Sequence, residues 1–492
     1  MPIFYSALLL TFVNLLLRFV GTSFQVYISS TLGAAGVGLL QLVLSVGSFA
    51  MIAGMAGIRT GTMYLTAEEL GRGNDRNVTW VLSGCFLYSI LCSGAVAAAL
   101  YCFAPQIAQS WIGDLRTAQA LRLFAAFLPL SCLCGVMTGY FTAANRIGTL
   151  AAVEIAEQLA SMAVTMASLA FWAGSDPTRA CQSVIFGSCI GGCLTLICLV
   201  LLRFREHPLS GPRIPVLSRL REAAVPLAMA DILKSGITTT ENLMVPKRLA
   251  LCGAVASPLA AFGTVSGMVF PILMFPACIL FSLAELLIPE LARCAAAGSR
   301  DRIRYLVRRS LKVAMLYGIF FCGLLFLLAD PLCQRLYHSS EAGRHLRLYA
   351  LLVPMLYCDA ITDAMTKGLG QQKVCVRYNI LTSALDVVFL YFLLPRYGMG
   401  GYFFSFLVTH LINFLLSLRR LLKIAALRLP LHIPVLSLAA VLAAVSLAAF
   451  LTHPLLQCSA FLLLLGALLT LFGILGREDA AWIRKLISTA SA

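Results

Sequence analysis

The chain is expected to fold as an all-α polytopic membrane protein of about fourteen transmembrane helices. Apolar residues make up 60% of its 492 residues and charged residues only 12%, where soluble domains carry roughly a quarter charged. Mean hydropathy is +0.90. Apolar stretches of about 20 residues, the length that crosses a hydrocarbon core, recur from one end of the sequence to the other. No polar insertion is long enough to fold as a separate soluble domain, so one membrane domain is the economical reading.

Taken in order, the spans fall at about 4–32, 37–66, 78–103, 120–143, 150–173, 183–202, 223–250, 259–288, 306–328, 346–368, 374–394, 401–422, 432–452 and 456–475. The first lacks a basic leader and is too long for a cleaved signal, so it is expected to stay as a permanent span. Basic residues gather in alternate loops, with five arginines from Arg203 to Arg221 and seven basic residues from Arg293 to Lys312. By the positive-inside rule, both termini are expected in the cytoplasm of a bacterial cytoplasmic membrane.

The net charge of +16 is spread over these short loops rather than gathered on one face. That argues for topology determinants and against a nucleic-acid partner. The 17 cysteines fall mostly inside spans, as Cys189, Cys193 and Cys198 do, with no CxxC and no neighbouring histidines. They read as small apolar packing residues, and no metal or cofactor is expected. The loops on the outer side of this topology are short, which leaves little room for the active site of a membrane enzyme.

An internal repeat divides the chain. Glu69-Leu70 followed by Asp75-Arg76 recurs as Glu290-Leu291 followed by Asp301-Arg302, Pro129 recurs as Pro354, and Asn145-Arg146 recurs as Gln372-Lys373. The shared offset of roughly 220 to 230 residues argues for duplication. The expected organisation is an N-lobe over residues 1–205, a C-lobe over 206–425 and two additional helices with a short tail over 426–492. Six spans per lobe preserve orientation, so the lobes should be related by a pseudo-two-fold axis along the membrane normal.

Charges inside spans mark the candidate site, because an intramembrane guanidinium stays protonated and costs several kcal/mol unless it faces a wet cavity or a partner. Arg18 lies near the middle of the first span and Arg59 inside the second, and neither stretch contains an acid. Both read as hooks for an anionic cargo, the alternative being an arginine that reaches the lipid surface or bonds backbone carbonyls, which weighs more for Arg59 because it lies closer to a helix end. Asn14, Arg18 and Gln25 fall on one helical stripe of the first span, and Asp231, Lys234 and Glu241 on a stripe of the seventh, which implies a hydrated cleft between the two lobes, the alternative being that each stripe packs against its own lobe through interhelical hydrogen bonds. These give Arg18, Arg59, Asn14, Gln25, Lys234 and Glu241 as substrate-binding candidates. Carboxylates at Asp231, Asp359, Asp363 and Asp386 are candidates for coupling Na+ or H+, although Asp359 and Asp363 could equally form a structural pair with Lys367.

The run Glu241-Asn242-Leu243-Met244-Val245-Pro246-Lys247-Arg248-Leu249, the turn Lys367-Gly368-Leu369-Gly370-Gln371-Gln372-Lys373 and the segment Leu394-Pro395-Arg396-Tyr397-Gly398 resemble motifs of the multidrug/oligosaccharidyl-lipid/polysaccharide exporter superfamily. The likeness is to its polysaccharide-export branch, which holds the stage V sporulation protein B family and the peptidoglycan-precursor flippases. Arg18, just before Phe19-Val20-Gly21, sits where those flippases place a first-span arginine, whereas Ser23-Phe24-Gln25 departs from the arginine and acid that follow there. The resemblance implies a monomeric alternating-access flippase, not an enzyme, that moves a polyprenyl-pyrophosphate-linked saccharide between leaflets amid membrane lipids. A cation-coupled drug antiporter of the same fold is the alternative, and an integral-membrane sugar-lipid enzyme a more distant one. No glycine-rich nucleotide loop of the Walker type is present.

Overall fold

The computed structural model describes residues 2–72, 77–173, 176–204, 216–253, 255–427, 432–451 and 453–474, with no side-chain description for 2–14, 221–227 and a few other helical positions. Asn14, the Asp75-Arg76 half of the first repeat and the tail after residue 474 therefore lie outside the described side chains or residues. The helices are α1 (Pro2–Met55), α2 (Ile58–Gly71), α3 (Val78–Ile107), α4 (Ala118–Ala143), α5 (Ile147–Ser168), α6 (Pro177–Phe204), α7 (Val216–Ala250) and α8 (Pro258–Gly263). They continue as α9 (Phe270–Met274), α10 (Ala277–Ala296), α11 (Arg300–Tyr337), α12 (Ser340–Ala350), α13 (Val353–Gly368), α14 (Gln372–Ala425), α15 (His432–Ala448) and α16 (Pro454–Leu471). Among the described residues there are no strands.

This is an all-α polytopic membrane protein with about fourteen spans, but several junctions differ from the sequence expectation. The first expected span and most of the second are arms of α1, which turns at Gly33 with φ 68° and ψ 173°, and the second continues into α2 across a break at Ala56 and Gly57, both with positive φ. The eleventh and twelfth are likewise arms of α14, turning at Gly398 with φ 55° and ψ −134°. Only glycine adopts such backbone angles without a Cβ clash, so a single residue replaces an expected loop. The expected tenth span is α12 and α13, bent by 56°. Pro354 lies in the first turn of α13, where its missing N–H costs no helical bond.

The chain divides into two compact units. The first comprises Met1–Gly267 and Asp386–Tyr402, and the second Met268–Leu385 and Phe403–Ala492.

In the first unit the core is formed by α2, α3, α4 and α6, through Ile58, Leu65, Val81, Cys85, Phe141 and Leu199. Helix α7 is bonded onto α1: Asn242 Nδ2 donates to Ser45 Oγ at 2.9 Å and Thr239 Oγ1 to the Ser45 carbonyl at 3.1 Å. Ser29, on the polar stripe of α1, is buried and donates to the Gly267 carbonyl at 2.7 Å.

In the second unit α15 and α16 pack on α11 through Ile319, Leu327, Val441, Ala444, Phe461 and Leu465. The two additional helices thus bury an apolar face of their own. The repeated glutamates play matching local parts in their separate units. Glu69 Oε2 accepts from Asn77 Nδ2 at 3.0 Å, and Glu290 Oε1 from an Arg302 guanidinium nitrogen at 2.7 Å, each tying its helix to the start of the next.

Candidate functional site

Helix α5 organises the polar interior of the first unit. Glu154, Glu157, Gln158 and Ser161 follow one another at spacings of three, one and three residues, which puts them on one helical face. Gln158 Nε2 donates to the Leu17 carbonyl at 3.1 Å, fixing α5 against the segment of α1 that carries Arg18. Glu157 Oε2 accepts from Thr195 Oγ1 of α6 at 2.7 Å. The close approach of α6 depends on its small residues. A Cβ at Gly187 would lie 2.7 Å from the Ser161 carbonyl oxygen, and one at Gly191 would lie 3.1 Å from that of Glu157.

A cavity of about 330 Å³ opens beside this face. Arg59 of α2 and Glu157 of α5 bring charge to its lining, Ser131, Thr138 and Ser188 bring hydroxyls, and Met51, Met55 and Phe124 are among its apolar walls. Glu154 lies within electrostatic reach of both Arg59 and Glu157. The guanidinium, exposed on α2 and without an acid in its expected span, is thus within electrostatic reach of a carboxylate from another helix. A pocket whose lining holds both a cation and an anchored acceptor can bind a cargo that is anionic in one part and rich in hydroxyl or amide donors in another.

The remaining predicted residues fall in several places. Arg18 is exposed on α1, next to the Leu17–Gln158 bond. Gln25 is partly buried and its Nε2 has no hydrogen-bond partner among the described residues. Asp231 and Lys234 are exposed on α7. Glu241 and Asp386 come within electrostatic reach of each other and of the buried Tyr402, and Glu241 Oε1 is buried with no hydrogen-bond donor among the described residues. That brings a substrate candidate and an ion candidate into one cluster within the first unit.

In the second unit Asp359 accepts from Asn413 Nδ2 at 3.2 Å, and Asp363 forms an ion pair with Lys367 at 2.6 Å. The pairing weighed for both aspartates therefore forms at Asp363, while Asp359 takes an amide partner.

A second cavity in the first unit, of about 460 Å³, is lined mainly by apolar and small residues that include Phe49, Trp111, Leu243 and Met244. Its two cations are engaged, Arg248 over the Tyr391 ring at 3.3 Å from the centroid and Lys247 with the Ser110 carbonyl. It offers less to an anion than the cavity at Arg59.

Sequence reasoning missed Glu157, Thr195 and Asn413. Glu154 and Glu157 stand three residues apart inside an apolar span, and that alone marks them as costly and therefore used. Thr195 and Asn413 carry no comparable signal, since hydroxyl and amide side chains are common in membrane helices.

Fold and cavity together define an integral membrane carrier of the kind shared by flippases and multidrug transporters. Residues 68–474 match the family model described as the lipid II flippase MurJ. The chain belongs to that family. It is 21% identical over 405 residues to stage V sporulation protein B of Bacillus subtilis (strain 168), covering 80% of this chain and 78% of that protein. Its fold is similar to that of a lipid II flippase MurJ in an inward closed conformation, with a TM-score of 0.74, 13% identity, and 94% of this chain and 98% of that one covered. It is also similar to an inward-facing multidrug resistance MATE family transporter, with a TM-score of 0.64, 12% identity, and 84% and 98% covered.

Proposed function

We infer that the protein is a flippase that carries a polyprenyl-diphosphate-linked saccharide, a precursor of peptidoglycan or a related envelope polymer, from the inner to the outer leaflet of a bacterial cytoplasmic membrane. Both termini lie in the cytoplasm and the protein works as a monomer by alternating access of its two sequence-repeat lobes. The single observation that carries this reading is the polar cavity at Arg59. A guanidinium matches diphosphate oxygens bidentately, and inside a membrane it is tolerated where water or an anion reaches it. Arg18 and Lys234 are further cations for the same headgroup, with Asn14, Gln25 and Glu241 as polar contacts, while the lipid tail stays in the bilayer.

Transport needs no nucleotide in this reading. A headgroup with about two negative charges gains about 4 to 5 kcal/mol on leaving an inside-negative cell at 100 mV. Coupling to Na+ or H+ is proposed at Asp386 with Glu241 and, on the exposed part of α7, Asp231, whereas Asp363 is engaged by Lys367 and Asp359 by Asn413 and both serve as structural charges. A group of charged carboxylates that exchange a cation fits the drug-antiporter alternative as well, whereas an arginine-lined cavity disfavours a cationic cargo.

Proteoliposomes holding a fluorescent lipid-linked saccharide test the reading under an imposed inside-negative potential. The expected result is translocation faster than in protein-free vesicles, accelerated by the potential, with the lipid recovered chemically unchanged. No acceleration, or a new covalent product, would overturn it, and transport of a cationic dye in its place would favour the antiporter.

A further inference from the structure

We propose that Glu157 is the specificity-determining residue of this cavity, reading the saccharide of the cargo while Arg59 holds its anionic linker. The inference rests on the flippase reading and deepens it. A carboxylate beside a diphosphate site is unfavourable for the anion itself, through like-charge repulsion in a medium that screens weakly. Its presence in the lining calls for a ligand group that rewards it. A hydroxyl or amide N–H does so, because a hydrogen bond to an ionised acceptor is about twice as strong as a neutral one.

The structure presents Glu157 as a fixed acceptor. Thr195, itself buried, occupies one lone pair of Oε2, and a carboxylate offers roughly four such sites. Gly191 lets α6 approach closely here, since a Cβ on it would lie 3.4 Å from Glu157 Cγ and 3.1 Å from the Glu157 carbonyl oxygen. Ser131, Thr138 and Ser188 add neutral donor–acceptor groups around the same cavity. Glu154, one turn earlier on the same face of α5, acts electrostatically with both Arg59 and Glu157. Of the two acids, Glu157 is the one in the cavity lining, where it can face the sugar.

The test compares two probes on purified protein in detergent: a polyprenyl diphosphate without sugar, and the same lipid bearing an N-acetylated disaccharide. Glu157→Ala should lower affinity for the sugar-bearing probe by about tenfold, the loss of one charge-assisted hydrogen bond, and leave the bare diphosphate unchanged or bound slightly more tightly. Glu157→Gln, which keeps a carbonyl acceptor, should recover part of the preference, and Thr195→Val should weaken it severalfold while leaving the bare probe alone.

Equal losses on both probes would overturn the assignment, as would no loss on either, and the bare probe serves as the control for folding. Arg59→Ala should lower both affinities together. If it lowers neither while Glu157→Ala still changes the ratio, the anion-hook reading fails and the saccharide contact stands.

Discussion

Arg59 and Asp363 are both formal charges set into largely apolar helices, and their surroundings treat them in opposite ways. Arg59 lines a cavity shared with Glu157 and several hydroxyls. Asp363 closes on Lys367 one helical turn away at 2.6 Å, and one turn earlier Asp359 is held by Asn413. A charge satisfied on its own helix is a structural element, whereas a charge turned toward a polar cavity is available to a ligand. The difference separates two groups of residues that look alike as intramembrane charges in the sequence.

The largest expected effect lies on the cavity side. Arg59→Ala removes a bidentate donor and should weaken binding of a bare polyprenyl diphosphate on the order of tenfold to a hundredfold, measured by titration in detergent. Arg59→Lys keeps the charge without the fork and should fall between the two. Gly187→Ala sharpens the comparison from the scaffold side. Its Cβ would press on the Ser161 carbonyl, so α5 and α6 must separate at a cost of about 1 to 3 kcal/mol in thermal stability, with loss of the Glu157–Thr195 bond.

On the self-satisfied side, Asn413→Ala leaves the half-buried Asp359 carboxylate without its amide donor and should destabilise by about 1 to 3 kcal/mol in a detergent melting assay. Lys367→Ala should change stability by no more than about 1 kcal/mol, since the Asp363 pair is partly exposed.

The smallest effect concerns the turn before α4. The Arg116 guanidinium beside Asp114 holds its carboxyl below the usual carboxylate range. Its contribution is present above the unfolded pKa and is lost as pH falls through the lower folded value. An acid melting series should therefore show Asp114→Asn slightly less stable than wild type near neutrality and equal to it at the acid end.

Much of this fold is legible in the sequence because hydropathy directly sets which segments cross a membrane. Gly33 and Gly398 mark the limit: in each case one glycine with positive φ makes the turn where two spans were expected to be joined by a loop, and nothing in the neighbouring composition distinguishes it from the other glycines. At the candidate site, Arg18 and Arg59 are conspicuous because charge in an apolar run is costly. Their relation to α5 is not readable, since Gln158 and Leu17 are 141 residues apart and the bond between them is a tertiary event. Asp386 and Glu241 were assigned different roles from sequence and come together in space for the same reason.

The flipping rate of a lipid-linked saccharide in proteoliposomes measures the contrast between the cavity charge and the paired charge directly, for Arg59→Ala beside Asp363→Asn. Arg59→Ala is expected to reduce transport to near the protein-free rate while Asp363→Asn keeps most of it. Normal transport by Arg59→Ala, or loss confined to Asp363→Asn, would contradict this expectation.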